Sequence, residues 1–335
     1  MHPQLFEIPL IHVTLKSYGL MMVIGFLAAV TVIRYLSRDI TPDPQYITNA
    51  ALYSLIAGVL GARLFYIVHH FDQYRDDLLS VFAIWQGGLE LLGGVILAIA
   101  VIFLYLVYHK LPIRRYLDIL AIGLMLALAF GRIGCFLNGC CFGKPTDLPW
   151  AVRFPYGSFA YRSQVEPDPA RHRPQPHMQL LDGFFSYAYN DGESKILKPY
   201  GELTEKQKRM LKESDKLRSM PVHPTQLYSS AAGLVLSVVL YLFWRRARSA
   251  KQGWQPQAQL GDGLPSKVLT KPGCIFSLMF ILYGITRFFL EFLRDDNPFE
   301  IDSMTISQII GIGLIAAGVV LMLIFHRMPV RPRAR

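Results

Sequence analysis

Long apolar segments separated by short polar ones dominate the chain. Seven of them approach the roughly 20 residues that a helix needs to cross the hydrocarbon core of a bilayer. They lie at about 17 to 37, 49 to 69, 88 to 108, 116 to 135, 223 to 244, 273 to 293 and 303 to 326. The pattern predicts an all-α, polytopic membrane protein with about seven transmembrane helices.

Two stretches interrupt this pattern and divide the chain into parts. Residues 1–141 hold spans 1 to 4, and residues 223–335 hold spans 5 to 7. Between them, residues 142–222 are rich in Pro, Arg and Tyr and predict an extramembrane insert, in which a polar helix starts at Thr204 with a capping box. Residues 249–272 show no hydrophobic period and predict a flexible cytoplasmic loop.

Composition and charge agree with a membrane protein and orient it. The chain is 52% hydrophobic and 17% charged, and its net charge of +10 accompanies no nucleic-acid-binding motif. Four short predicted loops on one side hold 15 Lys and Arg, whereas the three on the other side hold 3. By the positive-inside rule, the N-terminus lies outside, the C-terminus is cytoplasmic and the insert is periplasmic.

Three arginines lie in the interior of the predicted spans, namely Arg63, Arg132 and Arg287, while Arg34 at the end of the first span is counted with the loop that follows it. A charge at that depth costs about 3 kcal/mol, so it usually faces the bundle interior and marks a site or a pathway. Glu291 follows Arg287 by four residues and shares its helical face. In the predicted orientation Arg132 and Arg287 both lie toward the outer ends of their helices, where two guanidiniums would bind the phosphate of an anionic phospholipid. There are two alternatives to this phosphate-binding role. The arginines could form structural ion pairs within the bundle, or Arg132 could extend its charged group to the membrane surface.

Two short segments have unusual composition. WQGGLELLGG, residues 85–94, carries two glycine pairs that predict non-helical backbone around a wet cavity, with close helix packing as the alternative. The cysteines of GRIGCFLNGCCFG are Cys135, Cys140 and Cys141, and they lack the paired C-x-x-C spacing of a zinc site. We expect them to pack as small apolar side chains, with a disulfide from Cys135 to one of the others as the alternative in an oxidising periplasm.

Six motifs together resemble one known family, the prolipoprotein diacylglyceryl transferases, over most of the chain apart from the insert and the cytoplasmic loop. The motifs are SYGLMM (17–22), GARLFY (61–66), WQGGLELLGG (85–94), GRIGCFLNGCCFG (131–143), HPTQLY (223–228) and YGITRFFLEFLR (283–294). The resemblance implies a seven-span enzyme of the bacterial inner (cytoplasmic) membrane. It implies transfer of the diacylglyceryl group from phosphatidylglycerol to the lipobox cysteine thiol of prelipoproteins, with release of glycerol phosphate.

Partners and site residues follow from the same resemblance. Phosphatidylglycerol, the signal peptides of prelipoproteins and membrane lipids are the implied partners. Arg132 and Arg287 match two arginines regarded as essential in the family, and we expect them to be catalytic by stabilising the departing phosphate. The expected substrate-binding residues are Tyr18, Arg63, Asn138, His223, Gln226, Tyr228, Glu291 and Arg294. No P-loop, G-x-G-x-x-G or H-E-x-x-H motif is present, so we expect no cofactor, no metal and no nucleic acid.

The chain also departs from the family pattern. Just before the second glycine pair the family commonly has a histidine, or a tyrosine in some branches, that is a candidate for deprotonating the thiol, and here that position is Leu92. Either another group such as Glu90 serves, or the thiolate forms without an enzymic base, or the chain is non-catalytic. Cys135 and Cys140 replace polar residues of the family signature, and Ser229 follows HPTQLY where an acidic residue is frequent.

Three functions are therefore compared. The transferase is the first hypothesis, because the signature arginines and Asn138 are intact. A non-catalytic relative that binds phospholipid or prelipoprotein is the second, and Leu92 favours it. A lipid transporter is the third, and the lack of an internal repeat counts against it.

Overall fold

Helices account for most of the residues that the computed structural model describes. Those residues are 4–8, 13–41, 43–74, 81, 88, 90–187, 195–214, 217–252, 271–301 and 303–329. Helices α1 to α9 are Ser17–Ser37, Gln45–His69, Leu91–Tyr108, Ile113–Asn138, Phe159–Val165, Glu205–Glu213, Thr225–Gln252, Cys274–Glu291 and Ile306–Arg327. Three antiparallel strand pairs accompany them: β1 (Gln4–Ile8) with β2 (Val13–Lys16), β3 (Phe185–Tyr187) with β4 (Lys195–Leu197), and β5 (Phe299–Ile301) with β6 (Met304–Thr305).

Six of the described helices are long and apolar enough to cross a membrane, which confirms the all-α, multi-pass fold. They are α1, α2, α4, α7, α8 and α9. The apolar helix α3 is shorter, so the seventh span stays a prediction, as does the orientation. Helix α7 continues to Gln252 and so occupies the first part of the predicted loop 249–272, while residues 253–270 lie outside the described residues.

Helix α4 lies at the centre of the bundle, because it packs against α1, α7 and α8. Its Ile119 and Ile122 are fully buried with Leu240 of α7 and Ile275 of α8. The outward faces of the long helices carry many exposed large apolar side chains. Large exposed apolar surfaces of this kind indicate contact with lipid.

The two glycine pairs of residues 85–94 differ from each other. Gly88 has a left-handed φ of 72°, in keeping with the non-helical backbone predicted there. Gly93 and Gly94 lie inside α3, where a Cβ on Gly93 would stand 2.5 Å from the carbonyl oxygen of Gly61 on α2. The prediction of non-helical backbone is therefore wrong for the second pair, which packs two helices closely together.

The insert has a small hydrophobic core of its own, formed by buried side chains that include Tyr161, Phe184 and Leu197. Helix α6 starts as the sequence predicts: the Thr204 hydroxyl accepts from the Gln207 backbone N–H, and the Gln207 side chain accepts from the Thr204 N–H. None of the α6 residues is fully buried, but Met210 and Leu211 pack against the core of the insert, so the helix is polar only on its outer face.

Candidate active site

Arg132 lies one and a half turns before the end of α4, and the chain reverses direction directly after that end. Gly139 stops the helix with a left-handed φ of 75°, and the backbone N–H groups of Gly139 and Cys140 bond back to carbonyls of the last turn. Cys141 follows with φ 59°, which is unusual for a residue with a Cβ. This reversal brings the Cys141 Sγ to 3.6 Å from Nη1 of Arg132.

The segment after the reversal is held by the start of α7. The buried Gln226 donates from Nε2 to the carbonyl of Cys140 at 2.7 Å, and Thr225 donates from Oγ1 to the carbonyl of Cys141 at 2.8 Å. His223 exchanges backbone hydrogen bonds with Gly143 and Lys144. The HPTQLY motif therefore fixes the loop beside Arg132.

Tyr228 of the same motif connects this region to the insert. Its hydroxyl accepts from Nε1 of Trp150 at 2.7 Å and lies 3.4 Å from Nδ1 of His223. Substrate binding by His223, Gln226 and Tyr228 stays a prediction. The contacts present are those of residues that position the loop.

The end of α8 carries a buried charge cluster around Glu291, which is 3% exposed. Its Oε2 lies 3.2 Å from Nη2 of Arg287 and 3.7 Å from Nη1 of Arg294. Its Oε1 accepts from Nδ2 of Asn297 at 2.5 Å and from Oγ1 of Thr305 at 3.0 Å. Glu291 thus bridges two guanidiniums and fixes their positions.

Arg287 has a second polar partner on the neighbouring helix. Its Nη2 donates to Oγ of Ser307, in the first turn of α9, at 2.5 Å. Its side chain is 14% exposed. Arg287 is therefore ordered from two sides, although the sequence predicted only the Glu291 contact.

Residues of the insert hold the segment that follows α8, and the sequence analysis did not find them. Arg171 donates from Nη2 to the carbonyl of Arg294 at 2.9 Å, and Arg173 lies 3.2 Å from Oδ2 of Asp295. Arg294 itself donates to both carboxylate oxygens of Asp296, at 2.8 and 2.7 Å. The only sequence signal was the acidic pair directly after Arg294.

The two arginines predicted to converge do so. The loop after α4 and the segment after α8 meet in a β-bridge between Gly143 and Arg294, and the charges of Arg132, Arg287 and Arg294 lie within electrostatic range of one another. Among the described residues, Arg132 makes no ion pair with a carboxylate. The cluster therefore carries an excess of positive charge.

Arg132 and Arg287 also share a cleft between α4, α7 and α8. Apolar side chains line much of it, including Leu128, Leu236 and Leu290. Its open volume is only about 10 Å³, room for about one water molecule, so the cleft places apolar side chains next to two guanidiniums but does not by itself hold a lipid.

Tyr18 and Asn138 lie near the same end of α4. A Cβ on Gly134 would stand 3.1 Å from Cδ2 of Tyr18, so the tyrosine ring packs against the α4 backbone. Tyr18 is 40% exposed, and Asn138 is the half-buried last residue of α4. Both positions border the arginine cluster from the α1 and α4 side.

Arg63 and Glu90 belong to another part of the bundle. Arg63, which is 6% exposed, donates to the carbonyls of Val81 at 2.8 Å and Gly88 at 3.1 Å. Glu90 lies 2.7 Å from Nδ1 of His69. No described contact joins Arg63 to Arg132 or Arg287, so its role in substrate binding stays a prediction.

The three cysteines of the α4 motif are free thiols whose sulfur atoms all lie within 4.8 Å of one another. Cys140 Sγ also lies 3.7 Å from the carbonyl oxygen of Cys135. The sequence predicted small apolar packing, with a disulfide from Cys135 to one of the others as the alternative, and gave no sign that all three thiols converge as free thiols. It depends on the reversal at Gly139, which no spacing rule for cysteines contains.

Comparison with known proteins gives consistent results. The family model described as prolipoprotein diacylglyceryl transferase matches residues 3–324. The phosphatidylglycerol–prolipoprotein diacylglyceryl transferase of Clostridium tetani is 27% identical over 95% of this chain and 96% of its own length. The enzymes of the same name from Burkholderia lata and Rhodopirellula baltica are 28% and 26% identical, over 93% and 94% of this chain and 91% and 73% of their own lengths.

Proposed function

The chain belongs to the prolipoprotein diacylglyceryl transferase family, and from that premise we propose that it transfers diacylglyceryl from phosphatidylglycerol to the lipobox cysteine of prelipoproteins. The observation that carries this proposal is the excess of guanidinium charge beside an apolar cleft, with Arg132 lacking a carboxylate partner among the described residues. A multi-pass protein of this family would act in the bacterial inner membrane, on the signal peptides of its protein substrates.

The chemistry explains why an excess of guanidinium charge is needed. The thiolate sulfur forms a bond to the glycerol carbon that bears the phosphate, and the bond from that carbon to the phosphate oxygen breaks. Glycerol phosphate leaves with the bonding electrons, so its phosphate changes from one negative charge toward two. Positive groups already in place stabilise the transition state more than the ground state, and this difference accelerates the reaction.

Arg132 and Arg287 have different supports for this task. Arg287 is fixed by Glu291 and Ser307, which suits a group that must bind one phosphate oxygen in a constant position. Arg132 has only the Cys141 sulfur as a described side-chain partner, so its charge is available to the phosphate. We propose that Arg132 stabilises the negative charge that develops on the phosphate as glycerol phosphate leaves. Arg287 both binds the phosphate of the substrate and stabilises that developing charge.

A proton acceptor for the thiol is still required, because Leu92 has no basic atom. His69 and Glu90 offer one, since Nδ1 of His69 lies 2.7 Å from Oε2 of Glu90 and the imidazole is 55% exposed. When Nδ1 donates to the carboxylate, Nε2 is the nitrogen that accepts a proton. Both residues lie at the α2 and α3 ends that the predicted topology places on the same side as the arginine cluster.

The first experiment measures transfer of labelled diacylglyceryl from phosphatidylglycerol to a lipobox peptide by the purified protein in phospholipid vesicles. Wild type should label the peptide, Arg132→Gln should not, and Arg246→Gln, which changes an exposed arginine of α7, should behave as wild type. Leu92→His is measured beside them. Transfer by Leu92→His alone would mean a lapsed enzyme, and binding of phosphatidylglycerol without transfer by either protein would favour the non-catalytic relative.

The proton acceptor is tested by the neighbouring histidines. His69→Gln should lower kcat, because glutamine has no ring nitrogen to accept the proton. His70→Gln should leave kcat unchanged, because His70 stacks on Tyr66 and bonds to its carbonyl. An unchanged kcat for His69→Gln would exclude His69 as the acceptor.

A further inference from the structure

Three thiols converge beside Arg132 through a backbone arrangement that is costly to form. Cys135 is in the last turn of α4, and the chain returns to it only because Gly139 and Cys141 both adopt positive φ, 75° and 59°. A left-handed conformation in a residue with a Cβ costs about 1 kcal/mol or more. This unfavourable backbone conformation places Cys140 and Cys141 against Cys135, with all three sulfur atoms within 4.8 Å of one another.

The surroundings of these sulfur atoms are polar and reachable from water. Cys140 and Cys141 line a cavity of about 470 Å³ between the α4 loop, the insert and the segment after α8. Its walls carry four carboxylates, from Glu166, Asp168, Asp295 and Asp296, against the two guanidiniums of Arg162 and Arg173. Asp295 and Asp296 are paired with Arg173 and Arg294, so the cavity is polar rather than acidic, but it gives an ion in water a path to two thiols, which a purely apolar packing role would not need.

We propose that Cys135, Cys140 and Cys141 bind one thiophilic metal ion, and that this ion is Cu(I) in three-coordinate geometry. Thiolates are soft ligands that select Cu(I) and Zn²⁺ over hard cations. Within the described residues the cluster has three Cys ligands and no fourth His, Cys, Asp or Glu. Structural zinc sites are almost always four-coordinate, so a three-sulfur set fits Cu(I) better.

Charge balance supports the same assignment. Binding releases three thiol protons, so three thiolates and one Cu(I) carry a net charge of about −2. Nη1 of Arg132 lies 3.6 Å from the Cys141 sulfur, and the positive charge of Arg294 also acts on Cys141. Arg132, which has no carboxylate partner among the described residues, would offset one of these two negative charges, and Arg294, which is also paired with Asp296, would offset part of the other.

This arrangement predicts a consequence for catalysis, and that consequence rests on the proposed function. The negatively charged metal–thiolate complex would pair with the Arg132 guanidinium, which would then be less available to bind the phosphate of the substrate. Bound Cu(I) should therefore raise the KM for phosphatidylglycerol and inhibit transfer. The same three positions would make the enzyme sensitive to soft metal ions at the outer face.

The test is a titration of the reduced, full-length protein in detergent with Cu(I), in competition with the chromophoric chelator bicinchoninate. Wild type should remove one equivalent of Cu(I) from the chelator. Cys140→Ser and Cys141→Ser, which lie in the loop, should each weaken binding about 100-fold or more. Cys274→Ser changes the buried cysteine at the other end of the bundle and should bind as wild type.

Several results would overturn the proposal. These are no metal uptake by wild type, equal uptake by wild type and all serine variants, or tighter binding of Zn²⁺ than of Cu(I) in a parallel titration. A protein purified with an intact mass two hydrogens lower and unable to bind metal would point to a disulfide instead. The titration does not require turnover, so failure of the metal site and failure of the transferase are distinguishable.

Discussion

Helix α8 has buried charge at both of its ends, and the two ends satisfy it in different ways. At its start, the carboxylate of Asp118 accepts backbone N–H groups from Gly273 at 2.8 Å and from Ile275 and Phe276, each at 3.1 Å. A carboxylate at a helix N-terminus also interacts favourably with the helix dipole. The charge of Asp118 is fully used within the protein.

The end of α8 is not balanced in this way. Three guanidiniums lie there against two carboxylates: Arg287 and Arg294 pair with Glu291 and Asp296, and Arg132 makes no ion pair among the described residues. Arg294 donates to both carboxylate oxygens of Asp296, and Glu291 forms ion pairs with both Arg287 and Arg294. A buried charge in a membrane protein is therefore not by itself the mark of a site; the mark is a charge that lacks its counter-charge.

The largest expected effect comes from removing charge at the unbalanced end. Arg287→Gln should lower kcat/KM for transfer by about 100- to 1000-fold, the usual cost of losing one preorganised group that stabilises developing charge. The measurement is label transfer to the lipobox peptide, with membrane insertion and the helical circular dichroism spectrum as checks. An arginine that serves only to stabilise the bundle would instead lower the melting temperature and leave the activity per folded molecule unchanged.

Asp118→Ala, at the start of α8, should lower stability and leave activity nearly unchanged, which is the reverse of the effect expected for Arg287→Gln. It leaves backbone N–H groups of the first turn of α8 buried without an acceptor, at a cost of about 2 kcal/mol or more. The apparent melting temperature in detergent should fall, and activity per folded molecule should stay within about twofold of wild type. Asp118→Asn, which keeps one acceptor oxygen, should lose less stability, and a large loss of activity without loss of stability would break the comparison.

Glu291→Gln tests whether the end of α8 needs its negative charge or only its hydrogen bonds. Glutamine keeps an oxygen for Asn297 and Thr305 but no longer balances Arg287 and Arg294, so the guanidiniums should move apart. Small misplacement of a catalytic group is costly, and we expect kcat to fall by about 10-fold.

The matched control for that variant is Glu202→Gln, which makes the same change at an exposed position of the insert. It should be indistinguishable from wild type. If Glu291→Gln were equally silent, the charge of Glu291 would have no part in placing the arginines.

The convergence of Arg132 and Arg287 was predictable, and the rest of the cluster was not. Span lengths are set by bilayer thickness, so counting apolar runs gives the side on which each helix ends, and both arginines lie near ends on the same side. Arg171 and Arg173 are more than 120 residues from the segment they hold. No periodicity links residues at such a distance.

The sequence-based predictions for the second glycine pair and for the cysteines failed for local physical reasons. Gly93 and Gly94 read equally well as loop or as helix packing surface, because glycine permits both, and the tertiary contact with Gly61 decides. The cysteine cluster depends on two left-handed residues, Gly139 and Cys141, that turn the chain back on α4. Spacing rules for metal sites describe other turns and so gave no signal.

The smallest expected effect comes from two serine variants. Each end of α8 has a buried serine hydroxyl, so the same substitution can be made at both ends and compared. Ser307 accepts from Arg287 at 2.5 Å at the end of α8, and Ser277 donates to the carbonyl of Gly273 at 3.1 Å at its start. Ser307→Ala removes one support of Arg287 while Glu291 remains, so kcat/KM should fall only about fivefold, a loss of about 1 kcal/mol. Ser277→Ala should leave kcat/KM unchanged. Equal losses in the two variants would mean that activity follows the stability of α8 as a whole, whereas a loss confined to Ser307→Ala would show that the position of one guanidinium sets the rate.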